Sequence, residues 1–316
     1  MPSLSYLLAH LSDWHVTSLD DCRWRDLASK RLLGWLSWRY RRRQCHRPAI
    51  LRALFADLKR QAPDHVAVTG DLTNVALAQE FESAAEFLAE LGPPAWISLV
   101  PGNHDAYVPM PTETTWKLWS QYMLSDEVLA AQQPGSAPVS VCTSDTFPSV
   151  RIRGSLALVG VCSAQPTPLG YASGRLGAAQ LERLASTLAV LRARELCCVV
   201  LIHHPVVDDD FTPRRRLSDS SDFRTVLADV GADLVLHGHG HRSLRNQIEG
   251  PEGPIPVVGV RSSSHTEEHE SRRAQYHLFG IDRARVSSGP RFRFRLTIRG
   301  YEAASGGFVA EGEELL

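Results

Sequence analysis

Along the chain, short apolar runs of β type alternate with longer stretches in which apolar residues recur every three or four positions. The runs at 6–11, 65–69, 95–100, 196–202 and 233–236 have strand character, and 47–61, 78–91, 178–194 and 218–230 have helical periodicity. This alternation predicts an α/β layered fold. Residues 150–163, with a turn near Gly154, and the runs 256–260, 276–282 and 291–299 read as antiparallel strands. A pair of mixed sheets is therefore expected rather than one doubly wound sheet. Stretches rich in Pro and Ser at 132–149 and 208–213 read as surface loops. Residues 303–316 read as a polar, acidic C-terminal tail with little to pack. No linker divides residues 1–302, which are taken as one domain with a Trp/Arg-rich helical insertion at about 22–46.

Five strand-like runs end in polar clusters. These are Ser12-Asp13-Trp14-His15, Gly70-Asp71, Pro101-Gly102-Asn103-His104-Asp105, His203-His204-Pro205 and His237-Gly238-His239-Gly240-His241. Layered α/β sheets bind ligands at strand tips of this kind. Asp13, His15, Asp71, Asn103, His203, His239 and His241 offer oxygen and imidazole donors and no thiolate. That chemistry suits a pair of divalent Mn, Fe, Zn or Co ions better than a structural zinc site. Asp-x-His and His-x-His are expected to set alternate residues on one side of an extended tip. Gly70, Gly102 and Gly238 precede ligand positions, where tight turns let side chains converge. Two ions about 3.5–4 Å apart require a bridging carboxylate, and Asp71 is the best placed. Such ions lower the pKa of water and neutralise phosphoryl oxygens, so the chemistry expected is attack of a metal-bound hydroxide on a phosphoester or phosphoanhydride. His104, one residue past a ligand, is the candidate acid, and with Asp71 it makes up the candidate catalytic pair. No G-x-S-x-G elbow supports a serine nucleophile.

Together these blocks, Asp13-x-His15, Gly70-Asp71, Gly102-Asn103-His104-Asp105, His203-x-Pro205 and Gly238-His239-x-His241, make the chain resemble the calcineurin-like metallophosphoesterase superfamily over roughly residues 5 to 245. The resemblance implies a four-layer αββα sandwich with a dinuclear centre. It implies that Asp13, His15 and His241 hold one ion, that Asn103, His203 and His239 hold the other, and that Asp71 bridges them. In length and motif spacing the chain looks more like the bacterial cyclic-nucleotide and glycerophosphodiester phosphodiesterases than the larger protein phosphatases. The insertion is similar in character to that of membrane-associated UDP-diacylglucosamine pyrophosphatases of lipid A synthesis. A nuclease is a further enzyme reading, and the intact ligand set argues against a non-enzymatic scaffold.

Composition narrows the partners. With 43% hydrophobic and 22% charged residues over 316 positions, the chain fits neither disordered nor collagen-like classes. Thirty-four Lys+Arg stand against 35 Asp+Glu, and this balance weighs against nucleic acid. No apolar run approaches the roughly 20 residues of a membrane span. The six cysteines match no zinc or disulfide framework and read as reduced thiols, and the N-terminus carries no basic leader; a cytoplasmic protein is expected. Among thirteen histidines, His10, His46, His65 and His277 read as structural, and His204 and His237 as packing groups beside ligands. His265 and His269 are candidates for the mouth of the site. Arg214, Arg215 and Arg216, with His204, are candidate substrate contacts, because arginine grips phosphate bidentately. On a single helical wheel through residues 23–43, Trp24, Leu27, Ala28, Leu32, Trp35, Leu36 and Trp38 share one half, with Arg39, Arg41, Arg42 and Arg43 at the end. Tryptophan beside arginine fits peripheral contact with the inner face of a membrane, and then a lipid-linked rather than a small-molecule phosphodiester or pyrophosphate.

Overall fold

The computed structural model describes residues 6–111, 114–126, 143–207, 211–266, 271–284 and 289–316. In the first half of the chain lie β1 (Tyr6–Leu11), β2 (His65–Val68), β3 (Ile97–Leu99), β4 (Ser149–Arg153) and β5 (Leu156–Gly160). After them come β6 (Cys197–Leu201), β7 (Leu234–His237), β8 (Leu244–Ile248), β9 (Ile255–Gly259), β10 (Gln275–Arg283), β11 (Phe292–Glu302) and β12 (Gly307–Leu315). They form two six-stranded mixed sheets, in the orders β12-β11-β10-β1-β2-β3 and β4-β5-β6-β7-β9-β8.

Period-two burial explains how the sheets stack. Val199 and Leu201 of β6 join Leu8, Val66 and Leu99 in the core shared by both sheets. The intervening Cys198 and Val200 turn outward, against Leu184, Leu188 and Phe223 of the covering helices. A strand buried on both faces needs no polar alternation, which is why β2, β6 and β7 are apolar throughout apart from the terminal His65 and His237. The helices are α1 (Arg31–Ser37), α2 (Pro48–Gln61), α3 (Ala78–Leu91), a single turn α4 (Ser120–Met123), α5 (Ala178–Ala193) and α6 (Ser220–Val230). Helix α2 opens on Pro48, whose missing N–H costs nothing there, and stops at Ala62 in a left-handed conformation. Its Leu51, Leu54 and Leu58, at helical spacing, are all buried.

Four expectations need correction. First, residues 303–316 are not a loose tail: β12 pairs antiparallel with β11 over Gly307 to Leu315, and Phe308 is buried against Tyr276 and Tyr301. Its glutamates belong to an edge strand, where Glu311 and Glu314 pair with Arg273 and Arg245. Second, β5 and β9 are not purely antiparallel, since each also pairs in parallel with β6 or β7. Third, β8, partly exposed and polar, has no apolar run to mark it. Fourth, the insertion is not one helix. A 3₁₀ turn (Trp24–Leu27), α1 and a π-helical turn (Trp38–Arg42) follow one another, and Ser29 at φ +83° breaks the first from the second. The break undoes the single wheel: Leu27 and Trp38 are buried, whereas Trp24 (74%) and Leu32 (39%) face outward. The 150–163 hairpin is as expected, with Gly154 at φ +61°. Residues 132–142, 208–210 and His269 of the expected loops lie outside the described residues.

Candidate metal centre

All seven donor residues come together where strand ends of the two sheets meet. Asp13 and His15 follow β1, Asp71 follows β2, Asn103 follows β3, His203 follows β6, and His239 and His241 follow β7. The tips are not extended, contrary to the simple alternation argument. Asp13, His15, Asp71, His239 and His241 all have φ between +48° and +64°. Non-glycine residues rarely adopt this region, and five together mark a site where tertiary contacts impose the backbone. The glycines serve close approach. A Cβ on Gly102 would lie 2.2 Å from Asp71 Oδ1, one on Gly238 would lie 1.8 Å from Ser12 Oγ, and Gly70 itself has φ +87°.

The side chains fall into two groups that share Asp71. In one, Asp13 Oδ1 lies 3.1 Å from His241 Nε2 and 3.9 Å from His15 Nε2, with Asp71 Oδ2 3.7 Å from His15 Nε2. In the other, His203 Nε2 lies 3.3 Å from Asp71 Oδ2 and 3.1 Å from Asn103 Oδ1, and His239 Nδ1 lies 2.8 Å from that same amide oxygen. His15 and His203 donate their Nδ1–H to the carbonyls of Thr73 (2.8 Å) and Thr69 (2.6 Å), which turns each Nε2 toward the centre. Asp13 Oδ1 and His239 Nε2 are buried and accept or donate no hydrogen bond. Asp13, His15 and His241 offer donor atoms within 4.8 Å of one another, as do Asp13, Asp71 and His203, and His203, His204 and His239; such clusters, with two orphaned buried atoms among them, are what divalent cations would satisfy. The residues therefore fit the expected pair of ions.

Electrostatics agree with this. Burial, aided by neighbouring His104, lowers His15 to about 3 and keeps it a neutral ligand. Burial works against a charge on His203, yet the Asp71 and Asp13 carboxylates raise it to about 9, so a cation held at its Nε2 would displace a proton. Burial also lowers His104 to about 4, against the pull of Asp71. Its Nδ1–H is given to the Asn74 carbonyl at 2.5 Å, and its ring stacks on Tyr107.

Three supporting residues carry roles that the sequence reading did not assign. Asp105 accepts the backbone N–H of Asp71 (2.8 Å), Leu72 (3.0 Å), Thr73 (3.0 Å) and Gly102 (2.9 Å), locking two ligand loops together. Burial and the Asp71 charge push it up to about 7, while the converging donors favour its ionised form. Glu80, buried in the first turn of α3, accepts the N–H groups of Asn74, Val75 and Leu77. His46 packs edge-on against His15 and His241 and bonds Ser264 Oγ, so it supports the centre. Asp105 stands in the Gly102-Asn103-His104-Asp105 block without an assigned role, and Glu80 leaves no trace beyond its place in the first turn of an expected helix.

The cleft over the centre has a volume of roughly 330 Å³ and is lined by His15, Asp71, His104, His239 and His241, with Phe211 at one side. His265 reaches its mouth rather than lying on a merely solvated loop. Of the arginine run, Arg215 alone lines it. Arg214 lies over the Tyr171 ring, and Arg216 is not among the lining residues. His204 does not line the cleft: it is buried, bonds Ser163 Oγ through Nδ1, and donates Nε2–H to the Ala172 carbonyl. A larger cavity of about 580 Å³ near Trp116 and Arg175 contains none of the donors.

Two mixed sheets with a histidine- and aspartate-rich centre at their shared edge define a dimetal phosphoesterase fold. The chain belongs to the calcineurin-like phosphoesterase family, whose model matches residues 6–243. Among solved structures it is similar to a dimetal phosphatase from Danio rerio, at 12% identity and a TM-score of 0.58, covering 96% of this chain and 98% of that one. It is also similar to a purple acid phosphatase from yellow lupin, at 11% identity and a TM-score of 0.59, covering 99% of this chain and 54% of that one. A third likeness is the NAD nucleotidase of Haemophilus influenzae, at 10% identity and a TM-score of 0.51, covering 98% and 54%. At these identities the likeness is one of fold. No curated protein matches by sequence. The five described cysteines are free, and among the described residues no helix is long and apolar enough to cross a membrane.

Proposed function

We propose that the chain hydrolyses a phosphodiester or pyrophosphate bond with two divalent ions, drawn from Mn, Fe, Zn and Co. The observation that carries this reading is the convergence of seven donors in two groups, with Asp71 Oδ2 facing both. Asp13, His15 and His241 would hold one ion, Asn103, His203 and His239 the other, and Asp71 both. When bound, the ions supply Lewis acidity that activates a water and offsets phosphoryl charge. The protein does the rest. Thr73 and Thr69 carbonyls fix the imidazoles of His15 and His203. His104, held through Nδ1 by Asn74 and backed by Tyr107, presents Nε2 as the atom that would take up a proton and pass it to the leaving oxygen. Turnover of bis-p-nitrophenyl phosphate by metal-loaded protein, in preference to p-nitrophenyl phosphate, is the expected result, and His241→Ala abolishes it. Silence toward both compounds with all four metals ends the enzyme reading, and preference for the monoester ends the diester one.

The exposed face of the insertion supports a second element of this reading. Trp24, Leu32, Leu33 and Tyr40 are exposed large apolar side chains, and Arg39, Arg41 and Arg43 are exposed beside them. This pairing fits peripheral contact with an anionic lipid surface and a lipid-linked substrate. Vesicles containing phosphatidylglycerol should float the protein, and a Trp24→Ser/Leu33→Ser/Tyr40→Ser variant should remain unbound. Equal flotation of both overturns the lipid reading.

A further inference from the structure

Arg42 ends the π-helical turn of the insertion, and its guanidinium enters the cleft beside Asp71, His104 and His241. A guanidinium in a protein interior normally has a carboxylate or carbonyl partner, because an unpaired buried charge is costly. Among the described residues Arg42 has none, and its Nε is buried without a hydrogen bond. The two acids within electrostatic reach, Asp71 and Glu80, are already engaged. Asp71 accepts the His104 N–H at 2.7 Å and faces His15 and His203. Glu80 accepts Thr17 Oγ1 and three backbone N–H groups.

The position of Arg42 is built. Trp38, one turn earlier, is buried with Leu19, Val75 and Leu77. Gly34 lets α1 approach so closely that a Cβ there would lie 2.6 Å from Val75 Cγ1 and 2.8 Å from Tyr107 Oη. Arg31 ties the same helix to the carbonyls of Val75 (3.1 Å) and Ala76 (2.6 Å). Three further arginines line the same cleft, Arg215, Arg242 and Arg272, and of these Arg242, directly after the ligand His241, and Arg215 make no ion pair among the described residues. The loop of Arg215 is pinned on both sides, since the carbonyls of Arg214 and Arg216 accept the N–H groups of Ala172 (2.7 Å) and Gly174 (3.1 Å). Asp71 is the one described carboxylate in the lining, and it is committed to the centre.

We infer that Arg42, with Arg215 and Arg242, forms an anion subsite for a second phosphoryl group, so that the substrate is a pyrophosphate-bridged diester rather than a singly charged phosphodiester. The inference rests on the proposed phosphohydrolase reading and selects within it. The phosphoryl under attack is met by the metal centre. A monoanionic diester has nothing left for three guanidinium groups that make no ion pair among the described residues, whereas a second phosphoryl supplies two oxygens matched to the fork of Arg42.

Calorimetric binding to manganese-loaded protein tests this without turnover, using non-hydrolysable probes: the methylene-bridged analogue of P1,P2-diphenyl pyrophosphate, and diphenylphosphinate as the singly charged counterpart. The methylene-bridged probe is expected to bind at least tenfold more tightly. Arg42→Met should bring the ratio of the two dissociation constants below about three, and Arg42→Lys, which keeps the charge and loses the fork, should lower it at least threefold. A wild-type ratio near one, or an unchanged ratio in both variants, overturns the subsite. Failure of the phosphohydrolase reading shows separately, as absence of bis-p-nitrophenyl phosphate turnover in wild-type protein.

Discussion

At the residue scale, the centre is held by side chains whose task is to fix backbone. The five donors with positive φ each carry strain on the order of 1 kcal/mol or more. Asp105 offsets part of it by gathering four N–H groups and Thr73 Oγ1. An amide at this position would set N–H donors against N–H donors. Asp105→Asn is therefore expected to cost about 3 kcal/mol in urea unfolding and to lower bound metal, measured by elemental analysis, well below that of the wild type. Wild-type metal content and stability in the variant would remove Asp105 from this role. The donor identities were legible from sequence because Asp-x-His, Asn-His and His-x-His at strand ends have few uses other than metal. The left-handed tips were not legible, since they arise from hydrogen bonds such as Asp13 N–H to the Gly70 carbonyl and His15 N–H to the Asp71 carbonyl.

At the element scale, apolar period separated buried from exposed elements wherever one face dominates. It located β1, β2, β6, β7 and helices α2, α3, α5 and α6 within a few residues. It failed for β8 and β12, which are edge strands with one solvated face and few apolar residues. β12 makes a measurable claim. Phe308→Ala should destabilise the protein by about 3 kcal/mol in urea, whereas a loose tail would leave the unfolding midpoint unchanged. The insertion shows the complementary limit. Its tryptophans and arginines stood out in sequence, but Ser29 shifts the helical phase, and only the packing of Trp38 and Gly34 directs Arg42 into the cleft.

At the scale of the whole molecule, the interior holds many neutral histidines, and the stability curve should report them. Burial, with a smaller effect from Arg153, lowers His65 to about 3, and its Nε2 meets Ser98 Oγ in the core. The unfolded chain binds this proton near pH 6.5, so its contribution is complete above that pH and is lost as pH falls toward 3. Between pH 7.5 and 5.5 the wild type is expected to lose about 1.4 kcal/mol more than His65→Gln, measured by urea titration in chelator. Parallel curves would contradict it. The sequence by itself determined the layered α/β class and the set of donor residues, because apolar period and donor chemistry are local properties of the chain. Only the tertiary structure decided that Asp71 faces both donor groups, that Asp105 and Glu80 bind the loops, and that Arg42 rather than Arg214, Arg216 or His204 reaches the cleft. These depend on which strand ends meet across two sheets, and that is set by packing between residues far apart in the chain.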